Sequence, residues 1–487
     1  MIQTLRIASP LFERLHAHLF PGDGDEHGAV IVAGVQESPR GTRFLARDVI
    51  LAQDGVDWVP GCRGYRALKT DFIADVTDRC SRERLCYFSV HCHGGWDEVG
   101  FSSDDIASHR RGYPALLDIT DGGPVGALVF AENAAAGAVW RRSGVTVLDA
   151  VTVVGPNIRQ LFSRPPLAPP DVPPEYHRQS LLFGTRGQHA LAATKIGVIG
   201  LGGVGSLINQ WLAHLGVGHI VGIDYDILEP SNRPRVVGST SWDAGEPFVH
   251  SRFLLIRSLG RALARRKVRI ARRVARRANP SVRFDAIAGD ISDLAVARAL
   301  VDADFLFLCA DSMRARLLFN ALVHQYLVPG VQIGSKVPID KKTGAVLDPF
   351  VVARRVLPHA GGGCLHCNQL IPADRLRFES LSQSERRAEG YVDDELVHAP
   401  SVITLNALAA AQAANDFLFG FYGLHYTDAA AGYLMHEPRR RVWEPVDCGK
   451  DSECRFCGDG PRSGYALGDR ADLPGRGDPW IPQMASS

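Results

Sequence analysis

The chain has 487 residues, 46% of them hydrophobic and 22% charged, and its formal net charge is +1. That length exceeds what one core usually fills and sets an expectation of two or three domains. A charge so near zero provides no general attraction to nucleic acid or to a membrane surface, so partners have to be read from sites. The opening MIQTLRIASPLFERL lacks a basic stretch followed by an apolar one, and no apolar run reaches spanning length, which leads us to expect a cytoplasmic location. Ten cysteines, four of them in two Cys-x-x-Cys pairs, fit metal binding in a reducing compartment better than a disulfide framework.

In chain order, the β-type runs Ala29–Ala33, Cys86–Val90 and Val125–Phe130 alternate with helical segments near Asp71–Arg84 and Asp105–Arg111. They predict an α/β domain over residues 1–155. The proline-rich run Arg164–Pro174 can form neither a helix nor a central strand and marks a linker over 156–175. Beyond it the order is strand (Lys195–Ile199), glycine turn, helix (Ser206–Leu215), strand (His219–Asp224), with later strands at Phe305–Cys309 and Val331–Gly334. This alternation predicts a doubly wound parallel sheet, a Rossmann-like domain over 176–460. Residues 461–487, rich in Gly, Pro, Asp and Arg, are expected to form a loose tail.

The sequence His91-Cys92-His93 ends an apolar strand, and strand alternation puts both imidazoles on one face, where they can share a metal ion. Ser102-Ser-Asp-Asp105 supplies a carboxylate, and Glu26 precedes the first of the buried strands, where it can serve as general base. In this order of Glu, His-x-His and Ser-x-x-Asp, roughly residues 8–155 resemble the JAMM/MPN metalloproteases. The resemblance implies that His91, His93 and Asp105 ligate a catalytic zinc, that Glu26 deprotonates water and that Ser102 helps hold the oxyanion. It also implies cleavage of isopeptide or C-terminal peptide bonds beside ubiquitin-like folds. Gly94 stands where that family has proline, and the spacing from His93 to the serine is one residue longer. Asp104 is therefore an alternative to Asp105, as Asp25 is to Glu26. Cys92 is expected to point into the core.

Gly200-Leu-Gly202-Gly203-Val-Gly205 follows an apolar strand and opens a helix, so its amides face a phosphate, and Asp224 ends the next strand, where a ribose would bind. Nicotinamide and flavin enzymes share these two features. The continuation narrows the choice: Asp224-Tyr-Asp226 leading to Ser231-Asn232-Arg-Pro-Arg235, Lys267 ahead of Asn279-Pro280, and Cys309-Ala-Asp311 followed by Arg316 and Asn320. Together with Arg178-Gln179 these residues resemble the ThiF/MoeB/HesA superfamily of ubiquitin-activating-type adenylating enzymes over roughly Tyr176 to Asp447. The resemblance implies Mg·ATP, with Arg235 and Lys267 on the phosphates, Asn232 positioning them, Asp311 on magnesium, Asp224 on the ribose and Asp226 in the same binding set. It further implies a homodimer, with Arg178 acting across the interface. The arginine-rich stretch Arg261–Arg283 is read as a solvated helix face around Lys267 rather than a nucleic-acid patch.

Cys364-Leu-His-Cys367 and Cys454-Arg-Phe-Cys457 can close a four-thiolate shell around a structural zinc, with His366 a bystander. The two resemblances share one object, the C-terminal tail of a ubiquitin-like protein ending in Gly-Gly. The expected activity is adenylation of that carboxylate, coupled to zinc-dependent processing or deconjugation, with a separate protein accepting the activated carboxylate. Cys448 is read as a spare thiol, and Asn368–Pro400 contains no cysteine. The alternative is adenylation of a peptide or sulfur-carrier protein, with the first domain serving only for docking. A nicotinamide oxidoreductase would rest on the glycine turn alone.

Overall fold

The computed structural model describes residues 2–59, 67–167, 169–249, 252, 253, 255, 260, 262–340, 343–359, 361–381, 400–426 and 432–475. Most of the cysteine-free stretch from 368 to 400 is therefore outside the described residues, as is the end of the chain from 476. Among the described residues no helix is long and apolar enough to cross a membrane.

The first sheet contains β1 (Ile2–Ala8), β2 (Gly28–Ser38), β3 (Gly41–Leu51), β4 (Cys86–Cys92), β5 (Val125–Phe130), β6 (Ala135–Arg141), β7 (Gly144–Val147), β8 (Ala150–Val154) and β9 (Arg159–Leu161). Their order across the sheet is β7-β6-β5-β4-β2-β3-β1-β8-β9. The apolar run of β2 is explained by cover on both faces. Ile31 and Ala33 pack in a cluster with Leu11 and Leu15 of α1 (Ser9–Leu19). Val30 and Val32 point the other way, into a cluster with Val76 and Cys80 of α2 (Thr70–Glu83) and Tyr113 of α3 (Ser103–Ile119). A period of two thus sorts one strand between two helical layers. Because β9 pairs with β8, this sheet extends to Leu161, past the expected boundary at 155.

The second sheet holds β10 (Lys195–Ile199), β11 (His219–Ile223), β12 (Arg283–Ile287), β13 (Phe305–Leu308), β14 (Gly330–Lys336), β15 (Phe350–Val356), β16 (Tyr433–Glu437) and β17 (Val442–Pro445), in the order β12-β11-β10-β13-β14-β15-β16-β17. The first five strands in this order are parallel and the remaining pairings antiparallel. The longer helices among the described residues are α4 (His177–Ala193), kinked at Gly184, α5 (Gly203–His214), α6 (Lys267–Ala278), α7 (Met313–Gln325), α8 (Ala373–Ser380) and α9 (Ile403–Tyr422). The chain leaves β10 toward β11 on one side and reaches β13 on the other. The crevice outside the carboxyl ends of β10 and β13 is therefore the switch point at which such sheets bind ligands.

The two sheets are joined by buried charge. Asp304, just ahead of β13, accepts from Arg6 (2.9 Å), Arg40 (2.9 Å) and Arg43 (2.5 Å), all from the first sheet. Arg6 also donates to Leu327 O and Arg43 to Ala303 O. One apolar cluster runs through both halves, from Leu5, Leu15 and Phe44 to Leu306, Leu322 and Leu327.

Residues 461–475 are not the loose tail expected. Tyr465, Ala466 and Leu473 are buried. The amides of Ala466 and Gly468 bond His324 O and Gln325 O, and that of Asp469 bonds Val35 O. Arg47 donates to Tyr465 O. This strap passes so close to β2 that a Cβ on Gly34 would overlap Ala466 O. Composition misleads here because backbone hydrogen bonds, rather than a run of apolar side chains, attach the segment.

Burial opposes ionisation of Asp304, but Arg43, Arg40 and Arg6 outweigh it and hold the carboxyl down at about 2. A depressed carboxyl stabilises the fold above its unfolded pKa, near 4, and the contribution disappears as pH falls from about 4 to about 2. Asp304→Asn should cost about 3–5 kcal/mol in urea unfolding at pH 7. The difference from wild type should shrink across that acid window.

Candidate nucleotide and metal sites

The turn after β10 is built for close approach. Gly200 has φ of 88°, and a Cβ there would lie 2.8 Å from Ala310 N. One on Gly205 would overlap Gly200 O, and one on Gly203 would overlap the Asn406 amide, whereas Gly202 faces open space. Helix α5 starts at Gly203 with no side chain capping it, which leaves its first amides to a phosphate. Asp224, at the end of β11, is buried and accepts from Leu201 N (2.7 Å) and Asp226 N (2.8 Å). Burial raises its pKa and nearby Lys267 pulls it back.

Lys267 heads α6 and is itself buried, its Nζ 2.5 Å from Asp226 Oδ2. It thus belongs to the crevice and not to the solvated arginine face expected around it. The segment with Asn232 and Arg235 is pinned to α5 where Val237 N donates to Ser206 Oγ, and Arg235 Cδ comes within 3.4 Å of where a Gly203 Cβ would sit. Asn232 accepts from Glu229 N across its own turn. Asp311 follows β13 and is exposed. Burial raises the Tyr225 pKa, and the negative charges of Asp226, Asp290, Asp224 and Asp311 add to the rise.

Arg178 is not brought to this crevice. It is exposed on α4, whose neighbouring Gln179 bonds Leu215 O beyond the far end of α5, about 18 Å from Gly203 by helix rise. Two residues that sequence reasoning passed over do reach it. Asn406 of α9 packs on Gly203 and accepts from Ser335 Oγ (2.7 Å). Glu379 of α8 accepts from Met313 N and Arg314 N (2.8 and 3.1 Å), covering the start of α7 beside Asp311. Asn320 turns elsewhere and accepts from Leu365 N in the cysteine loop.

The Sγ atoms of Cys364, Cys367, Cys454 and Cys457 lie within 4.8 Å of one another, with closest pairs at 3.5–3.7 Å. Zinc–thiolate bonds of about 2.3 Å at tetrahedral angles require sulfur–sulfur edges of about 3.8 Å, so the donor set fits zinc. His366 Nδ1 lies 4.0 Å from Cys454 Sγ, outside the four-sulfur group but touching it. Cys448 is half-buried.

The second donor cluster lies at the end of β4. His91 Nε2 and His93 Nε2 are 3.2 Å apart, and each is 3.4 Å from the Asp105 carboxylate. Zinc–nitrogen bonds of about 2.05 Å give tetrahedral edges of about 3.3 Å, so this set also fits. His93 Nδ1 lies 3.2 Å from Gly100 O, and donation there leaves the Nε2 lone pair for a metal. Asp105, not the exposed Asp104, is the carboxylate turned toward the rings. Burial opposes its ionisation, but bonds from His91 and Ser102 depress its pKa. The Ser102 hydroxyl donates to Asp105 Oδ2 and accepts its amide, capping α3. The hydroxyl is thus engaged with the carboxylate in this structure. Glu26 Oε1 is 3.9 Å from His93 Nε2, too far to share its metal position directly and close enough to reach a water there. Cys92 Sγ accepts from His27 N, away from the imidazoles.

A doubly wound sheet with an uncapped glycine turn at its switch point, flanked by Asp224 and Lys267, defines a nucleotide-binding α/β protein. Residues 176–455 match the ThiF family, and the chain belongs to it. The molybdopterin-synthase adenylyltransferase of Escherichia coli (strain K12) is 28% identical over 148 residues, 30% of this chain and 52% of that protein. Mouse adenylyltransferase and sulfurtransferase MOCS3 is 41% identical over 106 residues, covering 20% and 23%. The sulfur carrier protein adenylyltransferase of Thermus thermophilus is 29% identical over 147 residues, covering 30% and 47%. The chain spans about half, or less, of the length of these relatives. Among solved structures, E. coli MccB with ATP is similar at 18% identity and a TM-score of 0.44, covering 59% of this chain and 75% of that one.

Cys454→Ser should remove one zinc ion per chain by metal analysis of the purified protein, and it should lower stability by several kcal/mol, on the order expected of a metal that ties distant segments. Retention of the ion would show that the four sulfurs do not hold it.

Proposed function

We propose that the chain adenylates the C-terminal carboxylate of a small carrier protein of ubiquitin-like fold, using Mg·ATP. The observation that carries this reading is the convergence of the glycine turn, Asp224, Lys267 and Arg235 on the switch-point crevice of a ThiF-family sheet. The names of the relatives, which include sulfur-carrier and molybdopterin-synthase adenylyltransferases, favour a sulfur-carrier or biosynthetic substrate over ubiquitin conjugation. The carboxylate would attack the α-phosphate, forming the acyl-adenylate and releasing pyrophosphate. Arg235 and Lys267 would neutralise the phosphates, Asn232 would position them, Asp224 would hold the ribose, and Asp311 would bind magnesium. Lys267 must exchange its bond to Asp226 for the phosphates. Arg178 would contribute only from a second copy of the chain. The zinc held by four thiolates is read as structural, because such a closed shell has no open position.

For the first sheet we favour a JAMM/MPN-like zinc peptidase over a docking module. Orientation of both imidazoles and Asp105 onto one point, with Glu26 at water distance, supports this choice. The zinc would supply Lewis acidity. Glu26 would take the proton of the attacking water and Ser102 would keep Asp105 aligned.

Pyrophosphate exchange into ATP should depend on a carrier protein ending in Gly-Gly, and Lys267→Ala should slow it about 10²–10³-fold, as the loss of one charge-stabilising group does. Exchange driven equally well by the free C-terminal peptide would exclude the carrier reading. In a separate assay, Glu26→Gln should abolish cleavage of a carrier extended beyond its Gly-Gly while leaving two zinc ions per chain. A wild-type protein binding one zinc ion would reduce the first sheet to docking.

A further inference from the structure

A cavity of about 530 Å³ lies where the two sheets meet, and neither proposed activity uses it. Its walls contain Thr194 and Asp304, at the amino ends of β10 and β13. The nucleotide crevice opens at the carboxyl ends of the same strands, about 17 Å away by strand rise. Four arginines line the cavity, Arg6, Arg40, Arg43 and Arg186, against one acidic residue, Asp304. Nearby Asp302 is taken by Lys195.

The arginines are not saturated by the protein. Each carries five donors. Arg43 directs one to Ala303 O and one to Asp304, Arg186 one to Pro166 O, Arg40 its two Nη groups to Asp302 O, Ala193 O and Asp304, and Arg6 its two to Ala303 O, Leu327 O and Asp304, which leaves donors over on each. Arg6 is 6% exposed, and burial followed by repulsion from Arg43 brings its pKa down to about 9. Arg6 is buried, Arg40 and Arg43 are half-buried and Arg186 is exposed; such an excess of positive charge attracts a multivalent anion, and guanidinium groups match the geometry of phosphate oxygens. One wall is aromatic. Phe183 and Tyr422 line the cavity and stack on each other with centroids 4.3 Å apart and planes within 5°. Volume and location between two structural units are both typical of small-molecule sites.

We propose that this cavity binds a phosphorylated small molecule, its phosphate among Arg40, Arg43 and Arg186 and its flat organic body against the Phe183–Tyr422 wall. The site is separate from the ATP crevice and lies against the charge cluster that joins the sheets, so its ligand would strengthen the junction.

The test is calorimetric titration of the full chain with phenyl phosphate at fixed ionic strength. Use of Lys267→Ala as the parent protein weakens phosphate binding in the nucleotide crevice. Binding should persist in that parent, fall at least tenfold on adding Arg186→Gln, and vanish with Arg40→Gln as well. Arg186 is exposed, so an unchanged Tm without ligand checks that its substitution leaves the fold intact. Inorganic phosphate should bind more weakly than phenyl phosphate because it lacks the aromatic contact. The proposal is overturned if the parent binds nothing, if Arg186→Gln binds as the parent does, or if benzoate or inorganic phosphate matches phenyl phosphate. None of these outcomes bears on pyrophosphate exchange by the wild-type chain.

Discussion

Three arginines of one sheet share a single carboxylate at the foot of the other, and this buried charge cluster sets the relation between the two halves of the molecule. Arg6, Arg40 and Arg43 come from two strands and a hairpin, and all three reach Asp304. An ion cluster removed from water is a modest source of net stability but an exacting one, since any other docking would part Asp304 from its arginines. An apolar core common to both halves, with Leu5 from one and Leu327 from the other, then adds the non-directional part of the attraction. The C-terminal strap closes the same seam from below, bridging α7 and β2 with backbone bonds.

The two candidate sites diverge from this seam. The His91/His93/Asp105 cluster lies at the end of β4, opposite Gly28, and β3 runs about 30 Å from Arg43 to that end. The nucleotide crevice lies at the other end of β10 and β13 from Asp304. Neither site shares a lining residue with the junction, so each can exchange its substrate without opening the seam. A carrier tail processed at one site would have to leave it before reaching the other.

Much of this is legible in the sequence because the relevant signals are local. A glycine turn between strand and helix, a His-x-His at a strand end and two tight cysteine pairs each encode their geometry within a few residues, and the structure brings each set together. What is not legible depends on contacts across long separations. The partnership of Arg6 with Asp304 spans nearly three hundred residues, and nothing around either residue announces it. Glu379 and Asn406 look like ordinary polar helix residues until the fold places one over the start of α7 and the other on Gly203. Lys267 stands out in the sequence as a candidate ligand but not as a buried residue, because arginines are frequent along α6 and only tertiary packing covers the first turn. The strap from 461 to 475 misleads for the complementary reason, since low apolar content conceals attachment through the main chain.

The position of Asp304 also has a consequence for how the protein is made. Arg6, Arg40 and Arg43 leave the ribosome more than 250 residues before the carboxylate they share. Until then the three arginines of the seam lack the carboxylate they share in the folded chain. The junction between the two sheets therefore cannot be completed until β13 has been made.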